Sequence, residues 1–462
     1  MTIWAPDLDA DTPRYRAIAD AMGSDIASGL LTSGDRLPPQ RDLARALQVS
    51  IGTVTRAYAL AEERGLVRGE VGRGTFVGAA LDVFPFADTG QTVAAGINLG
   101  MSWPLEHMSP DLSQSLRKLQ RRSDLDALLR YQPNLGMPRH RRAGAQWIAR
   151  HGHDVNPEQV AICSGSQHGM TVLLGTLAAP GDTILTEELT YPGVRAVAEF
   201  LGLKIAGVAM DSEGLLPDAL AKACQARRPR ALYCVPSLQN PTTATQSTKR
   251  REQIVAVARK YGVPIIEDAI HHLLLDPKQA PPLIATLAPE LTYLMASPSK
   301  VVAGGLRVAF IAAPAGACAA LSQRLWSTVW MVAPLVAEVM ASWIEDGTAE
   351  ATVRAKREEL GVRAALARRI LGGSGLRLEG TALHAWLELS EPWTDPAEFI
   401  QAAAQRGVSL TGASAFHVGP GSLPSGARLS ISAPHDRPTL ERGLRIVADT
   451  LSGVPGLSQP IV

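Results

Sequence analysis

Lys300 closes the run Ser297-Pro298-Ser299-Lys300, and Arg307 follows on the same stretch of chain. A lysine ε-amine can form a carbon–nitrogen double bond with an aldehyde. A guanidinium grips a phosphate through parallel N–H donors, and Ser297 and Ser299 place hydroxyls beside it. Further upstream, Asp268 ends an apolar run, Asn240 precedes Pro241-Thr242, and Gly165-Ser166-Gln167 follows Val160–Cys163. A carboxylate can keep a ring nitrogen protonated and so make the ring an electron sink. Asn240 can donate to a phenolic oxygen, and N–H groups at a helix start bind anions. Tyr191, in Thr190-Tyr191-Pro192-Gly193, could stack on the ring face. Plainer roles exist for each: a surface lysine, an N-cap aspartate, a turn asparagine, a core tyrosine. The serines and Arg307 around Lys300 argue against the plainest of them. Together these residues are a kit for holding pyridoxal phosphate.

The elements that must position them alternate. Val160–Cys163, Asp182–Thr186, Arg230–Val235, Val263–Ile266, Leu291–Ala296 and Arg307–Ala312 read as strands, most with an apolar helix pattern between them. Such alternation predicts an α/β body with a mainly parallel sheet, flanking helices and a smaller α+β part. Ligands of such sheets sit beyond the carboxyl ends of the strands. Lys300, Asp268, Asn240, Tyr191 and Gly165 all fall at that edge.

The first 80 residues read differently. Ile18, Met22 and Ile26 have helical spacing from Tyr15, with Gly29 as a stop. Leu37-Pro38-Pro39 is a turn before a helix over Gln40–Leu47, which Pro39 could open. Ser50 is an N-cap for a helix to Arg64, ended by Gly65. Val67–Glu70 and Thr75–Val77 flank a hairpin tip at Gly72-Arg73-Gly74. Helix, turn, helix and hairpin wing make a DNA-docking geometry. Ser50, Thr53, Thr55 and Arg56 would face the major groove, with Arg41 and Arg73 on phosphates or a groove edge. A small helical packing domain would show the same periodicity.

Charge adds little: the net is +1, and the head carries nine Arg against ten acids, so only a local basic face from Arg36 to Arg73 is open to it. The chain divides into a head (1–80), a linker (81–96) and a body (97–462). The linker lacks periodicity and as a coil would span about 20–25 Å. None of the four cysteines forms a CxxC pair, so no metal site is expected. No signal core or membrane-length apolar run is present, which makes the cytoplasm the expected location.

The series LPPQRDLA, VS-x-x-TV, RGLV and GRGTFV resembles the winged helix-turn-helix head of GntR-type regulators. It departs at Ile51 and Thr55, where relatives are often basic. The body, from about Asn98 to Val447, resembles fold-type I aspartate aminotransferases, with Lys300, Arg307, Asp268 and Asn240 on the central motifs. That resemblance implies three further roles. Tyr131 would reach the phosphate of a neighbouring subunit in a homodimer, and Arg428 would hold a substrate or effector carboxylate. His271 stands where the family has a tyrosine bonding the phenolic oxygen, and a neutral imidazole could donate that bond instead. The two halves together are similar to MocR-type regulators. This implies a pyridoxal phosphate-binding regulator of operator DNA that senses a small amino compound or the vitamer itself. An active aminotransferase with an appended head, and a regulator whose body no longer binds cofactor, stay open as alternatives.

Overall fold

Apolar residues at helical spacing near the N-terminus build a small core of their own. In the computed structural model, which describes residues 4–6, 12–27, 30–31, 35–63, 66–70, 74–77, 96–121, 123–419 and 423–453, the chain forms two compact units, residues 1–90 and 91–462. The first holds helices α1 (Arg14–Ala27), α2 (Gln40–Ala46) and α3 (Ile51–Glu63), then strands β1 (Val67–Glu70) and β2 (Gly74–Val77). Ile18 and Met22 of α1 pack with Leu43, Val54, Ala57 and Val77. Each of the larger of these side chains contributes roughly 1.5–3 kcal/mol on burial. Pro39 lies just outside α2 rather than in its first turn, because its ψ of 140° is extended. Ser50 caps α3 as expected, its Oγ accepting from the Thr53 amide at 3.1 Å. β1 and β2 pair antiparallel, with Val67 opposite Val77 and Glu70 opposite Gly74. Gly29, Arg64, Gly65, Gly72, Arg73 and linker residues 81–95 lie outside the described residues.

The second unit is built on strands β3 (Val160–Cys163), β4 (Thr183–Glu187), β5 (Lys204–Val208), β6 (Ala231–Cys234), β7 (Ile265–Asp268), β8 (Thr292–Ala296) and β9 (Ala309–Ala312). They lie in the order β3-β9-β8-β7-β6-β4-β5. Neighbours from β8 to β5 pair in parallel, and β9 runs antiparallel to both its neighbours. Most of these strands are buried along their whole length. Covered on both faces, they read as continuous apolar runs rather than alternating ones. β9 begins two residues later than the apolar run suggests, because Arg307 takes a left-handed φ of +52° that a strand cannot use.

A smaller sheet follows the long helix α4 (Thr348–Leu371). Its strands are β10 (Leu376–Arg377), β11 (His384–Glu388), β12 (Thr411–Gly412) and β13 (Gly426–Ser430), in the order β10-β11-β13-β12. α4 ties both sheets to one frame. Lys356 donates to the Val302 carbonyl at 2.8 Å, two residues beyond Lys300. Arg363 donates to the carbonyls of Ile431 and Pro434 just after β13. Charged donors on buried carbonyls are worth about 1.5–3 kcal/mol each, so α4 fixes the spacing between Lys300 and Arg428.

Candidate functional site

The carboxyl edge of the large sheet gathers the polar residues. Lys300 follows β8 and is half-buried, its Nζ donating to the Ser102 carbonyl. Burial pushes its pKa down to about 8, with the charges of Arg428 and Arg307 adding to the effect. A lowered lysine pKa raises the fraction of neutral, nucleophilic amine. Asp268 ends β7, buried, and accepts from the Tyr233 hydroxyl at 2.9 Å and the Ile270 amide at 3.1 Å. Burial pushes it up to about 6 against the pull of the Tyr233 and Ile270 bonds. A cationic ring nitrogen placed there would pull its pKa back down and favour the charged carboxylate.

An anion cradle stands beside them. Gly165 adopts φ +85° and ψ 169°, a region open essentially to glycine alone. A Cβ on Gly165 would sit 2.5 Å from Arg307 Nη2, so the missing side chain is what admits the guanidinium. The helix Ser166–Leu177 starts directly after Gly165, which puts its first amides at the cradle. The Ser166 hydroxyl is buried there without a hydrogen-bond partner. Ser297 donates to Ser299 Oγ at 3.0 Å, and both are buried. Gln167 donates to the Gly193 carbonyl at 3.1 Å, and its Oε1 lies 3.4 Å from the Tyr191 hydroxyl. Tyr191 is half-buried, and burial, then the Asp268 charge, raises its pKa.

Arg428, on β13, closes the far side. It is buried, donates to Asn240 Oδ1 at 2.9 Å and to the Gly100 carbonyl at 2.7 Å, and lies over the Phe416 ring. Its Nε has no partner. Burial lowers its pKa to about 10, so it stays cationic at neutral pH. Because Asn240 Oδ1 accepts from Arg428, the Asn240 amide nitrogen is left to donate elsewhere. The residues therefore fit pyridoxal phosphate: an orphaned hydroxyl and a glycine cradle for the phosphate, a buried carboxylate for the ring nitrogen, an amide donor for the phenolic oxygen, and a lysine of lowered pKa.

One expected role changes. His271 is buried, and its Nδ1 lies 3.0 Å from the Leu238 carbonyl. A carbonyl only accepts, so the ring's proton is on Nδ1. Burial, then the Lys300 charge, pushes its pKa down to about 3, which keeps the ring neutral. Nε2 then carries a lone pair, and the donor bond expected of His271 is already committed to the backbone. Tyr131 does not join the others. It is 80% exposed, with its ring 5.3 Å from that of Trp330. Motif reading missed Tyr233, which sits inside an apolar strand, and His384 on β11, whose ring centroid is 5.6 Å from that of His271.

In the head, Ser50 is exposed and Thr53 half-buried, their hydroxyls 2.8 Å apart. Thr55 is exposed, but its hydroxyl lies 2.7 Å from Gln40 Oε1 and 3.0 Å from the Ile51 carbonyl. Arg56 lies over the Tyr15 ring at 4.0 Å. Arg41 is exposed at the start of α2.

Comparison with known proteins gives both halves a counterpart. The family described as aminotransferase class I and II matches residues 95–447, and the gntR family of bacterial regulatory proteins matches residues 14–77. The chain is 32% identical over 447 residues, 96% of each protein, to the uncharacterized HTH-type transcriptional regulator YdeF of Bacillus subtilis (strain 168). It is 26% identical to the HTH-type pyridoxine biosynthesis transcriptional regulator PdxR of Corynebacterium glutamicum, over 92% of this chain and 93% of that one. It is 27% identical to the vitamin B6 salvage pathway transcriptional repressor PtsJ of Salmonella typhimurium, over 91% and 94%. Among solved structures, the α-aminoadipate aminotransferase LysN of Thermus thermophilus superposes with a TM-score of 0.70 at 23% identity, covering 79% of this chain and 96% of LysN. That likeness establishes the fold of the body.

Proposed function

The chain belongs to the aminotransferase class I and II family and carries a gntR-family head; from this we propose that it is a transcription regulator that binds operator DNA and holds pyridoxal phosphate in its body. One observation carries the reading: a single chain joins a helix-turn-helix head to a body whose half-buried lysine, buried aspartate and glycine cradle fit pyridoxal phosphate. When bound, pyridoxal phosphate supplies an aldehyde that reacts reversibly with amines. Lys300 would hold that aldehyde, Asp268 the ring nitrogen and Asn240 the phenolic oxygen. Arg307, Ser166 Oγ and the first amides after Gly165 would hold the phosphate, with Ser297 and Ser299 beside Arg307. Tyr191 would cover the ring.

Arg428 would receive the carboxylate of a small amino-compound effector, exchanging the Gly100 carbonyl for it. Tyr131, Trp330 and Trp326 leave apolar rings exposed, which suits a homodimer in which Tyr131 meets the phosphate site of a second subunit. Boundaries at 80 and 96 and a cytoplasmic location complete the proposal. Among the described residues no helix is long and apolar enough to cross a membrane.

A ligand shifts a regulator only by binding one arrangement better than another. Coupling of about 1–3 kcal/mol changes DNA affinity about 5- to 150-fold. The test measures binding of a promoter fragment selected from genomic DNA, with and without pyridoxal phosphate and candidate amino acids. The expected result is a shift of at least about fivefold that Lys300→Ala removes. An affinity indifferent to all of them contradicts the sensing role. Lys300, Asp268, Asn240 and Arg428 also permit transamination, which turnover of an amino donor with an oxo-acid would reveal.

A further inference from the structure

Three consecutive residues after β6 serve as acceptors for three side chains from elsewhere in the body. The Leu238 carbonyl takes His271 Nδ1 at 3.0 Å, the Gln239 carbonyl lies 3.2 Å from His384 Nε2, and Asn240 Oδ1 takes Arg428. Leu238 is fully buried at φ +48°, a conformation that a leucine holds only where its surroundings fix it. Each imidazole has one proton when neutral, and each is bound to a backbone carbonyl. The remaining nitrogens, His271 Nε2 and His384 Nδ1, therefore carry lone pairs. His384 Nδ1 is buried with no partner, and both rings are buried.

We propose that His271 meets the bound cofactor as a hydrogen-bond acceptor, with His384 as a second acceptor behind it, so that Asn240 alone donates to the phenolic oxygen. This rests on the cofactor-binding reading and inverts the role of the tyrosine that His271 replaces. The pair makes that wall of the pocket complementary to N–H and O–H groups and opposed to a bare phenolate.

The consequence is electrostatic. Pyridoxal phosphate held by Lys300 would supply one titratable proton between the Lys300 nitrogen and its phenolic oxygen, and losing it would leave full negative charge on that oxygen. A donor aimed at the oxygen stabilises the deprotonated form and lowers the titration midpoint. A lone pair aimed at it does the reverse. Other charged or titratable groups near this proton are Arg428 and Arg307, with Glu106 acting on Lys300, and Asp268 with Tyr233 and Tyr191. The substitutions below leave all of these in place, so the sign of the change belongs to position 271.

The test is a pH titration of the visible absorbance band in full-length protein loaded with pyridoxal phosphate. An acceptor gives midpoints in the order wild type, His271→Phe, His271→Tyr, from high to low, the last about one unit or more below the first. A donor gives the opposite sign for phenylalanine, which would then lie above wild type, and that order overturns the proposal. Nitrogen NMR of histidine-labelled wild-type protein provides a second reading that needs no variant. It should show His271 protonated at Nδ1; protonation at Nε2 refutes the assignment. Absence of any visible band in the wild type defeats the cofactor reading itself, and the inference with it.

Discussion

Gly165→Ala separates the cradle's two physical demands. At φ +85° and ψ 169°, alanine occupies a region that costs about 1–3 kcal/mol. That strain is present with or without cofactor, so it lowers the stability of the empty protein by the same amount. The second effect acts on binding alone. The new Cβ would lie 2.5 Å from Arg307 Nη2 and 2.8 Å from its Cζ, well inside contact distance, so the guanidinium must leave its place. A hydrogen bond to a charged group contributes about 1.5–3 kcal/mol. Losing one such phosphate contact weakens binding by roughly 10- to 150-fold. Two assays read the two effects: denaturant unfolding of the empty protein, and an absorbance titration with pyridoxal phosphate. If Gly165→Ala loses stability but binds the cofactor within twofold of wild type, Arg307 does not hold the phosphate and the cradle argument fails.

Other perturbations read other parts of the account. Lys300 has a pKa lowered to about 8, and only the neutral amine attacks an aldehyde; cofactor capture measured by stopped flow should therefore accelerate about tenfold per pH unit below 8 and level off above it. A capture rate still climbing steeply from pH 9 to 10 would mean an ordinary lysine. Arg41→Ala should weaken DNA binding and reduce its salt dependence by about one unit of slope, with cofactor absorbance unchanged; an unaltered slope removes Arg41 from the phosphate contacts. Arg56→Ala should cost the head about 0.5–1 kcal/mol of stability through its stack on Tyr15, read by thermal unfolding before any DNA is added.

Much of the body was legible because its strands are buried on both faces. Val160–Cys163 and Thr292–Ala296 show up as short apolar runs with polar residues at their carboxyl ends, and the parallel order follows from the helices between them. The antiparallel strand Ala309–Ala312 carries no such mark, since pairing direction depends on the route of the chain between strands. Lys300, Asp268 and Arg307 stand in recognisable spacing. Tyr233 does not, because inside an apolar strand it reads as core until its hydroxyl is seen 2.9 Å from Asp268. His384 is hidden in the same way within Leu383-His384-Ala385-Trp386. The direction in which His271 spends its proton depends on where the Leu238 carbonyl points, a backbone fact with no residue signature. In the head, the Ser50 cap and the core positions followed from spacing, whereas the ties of Thr55 to Gln40 and of Arg56 to Tyr15 are contacts between helices that periodicity does not encode.

The central claim is that the chain which carries the DNA-binding head also captures pyridoxal phosphate through Lys300. The absorbance spectrum of purified full-length protein, recorded on adding pyridoxal phosphate to wild type and to Lys300→Ala, tests it most directly. The account predicts a visible band in the wild type that moves when amines are added, and none in the variant. An identical band in both, or none in either, would contradict it.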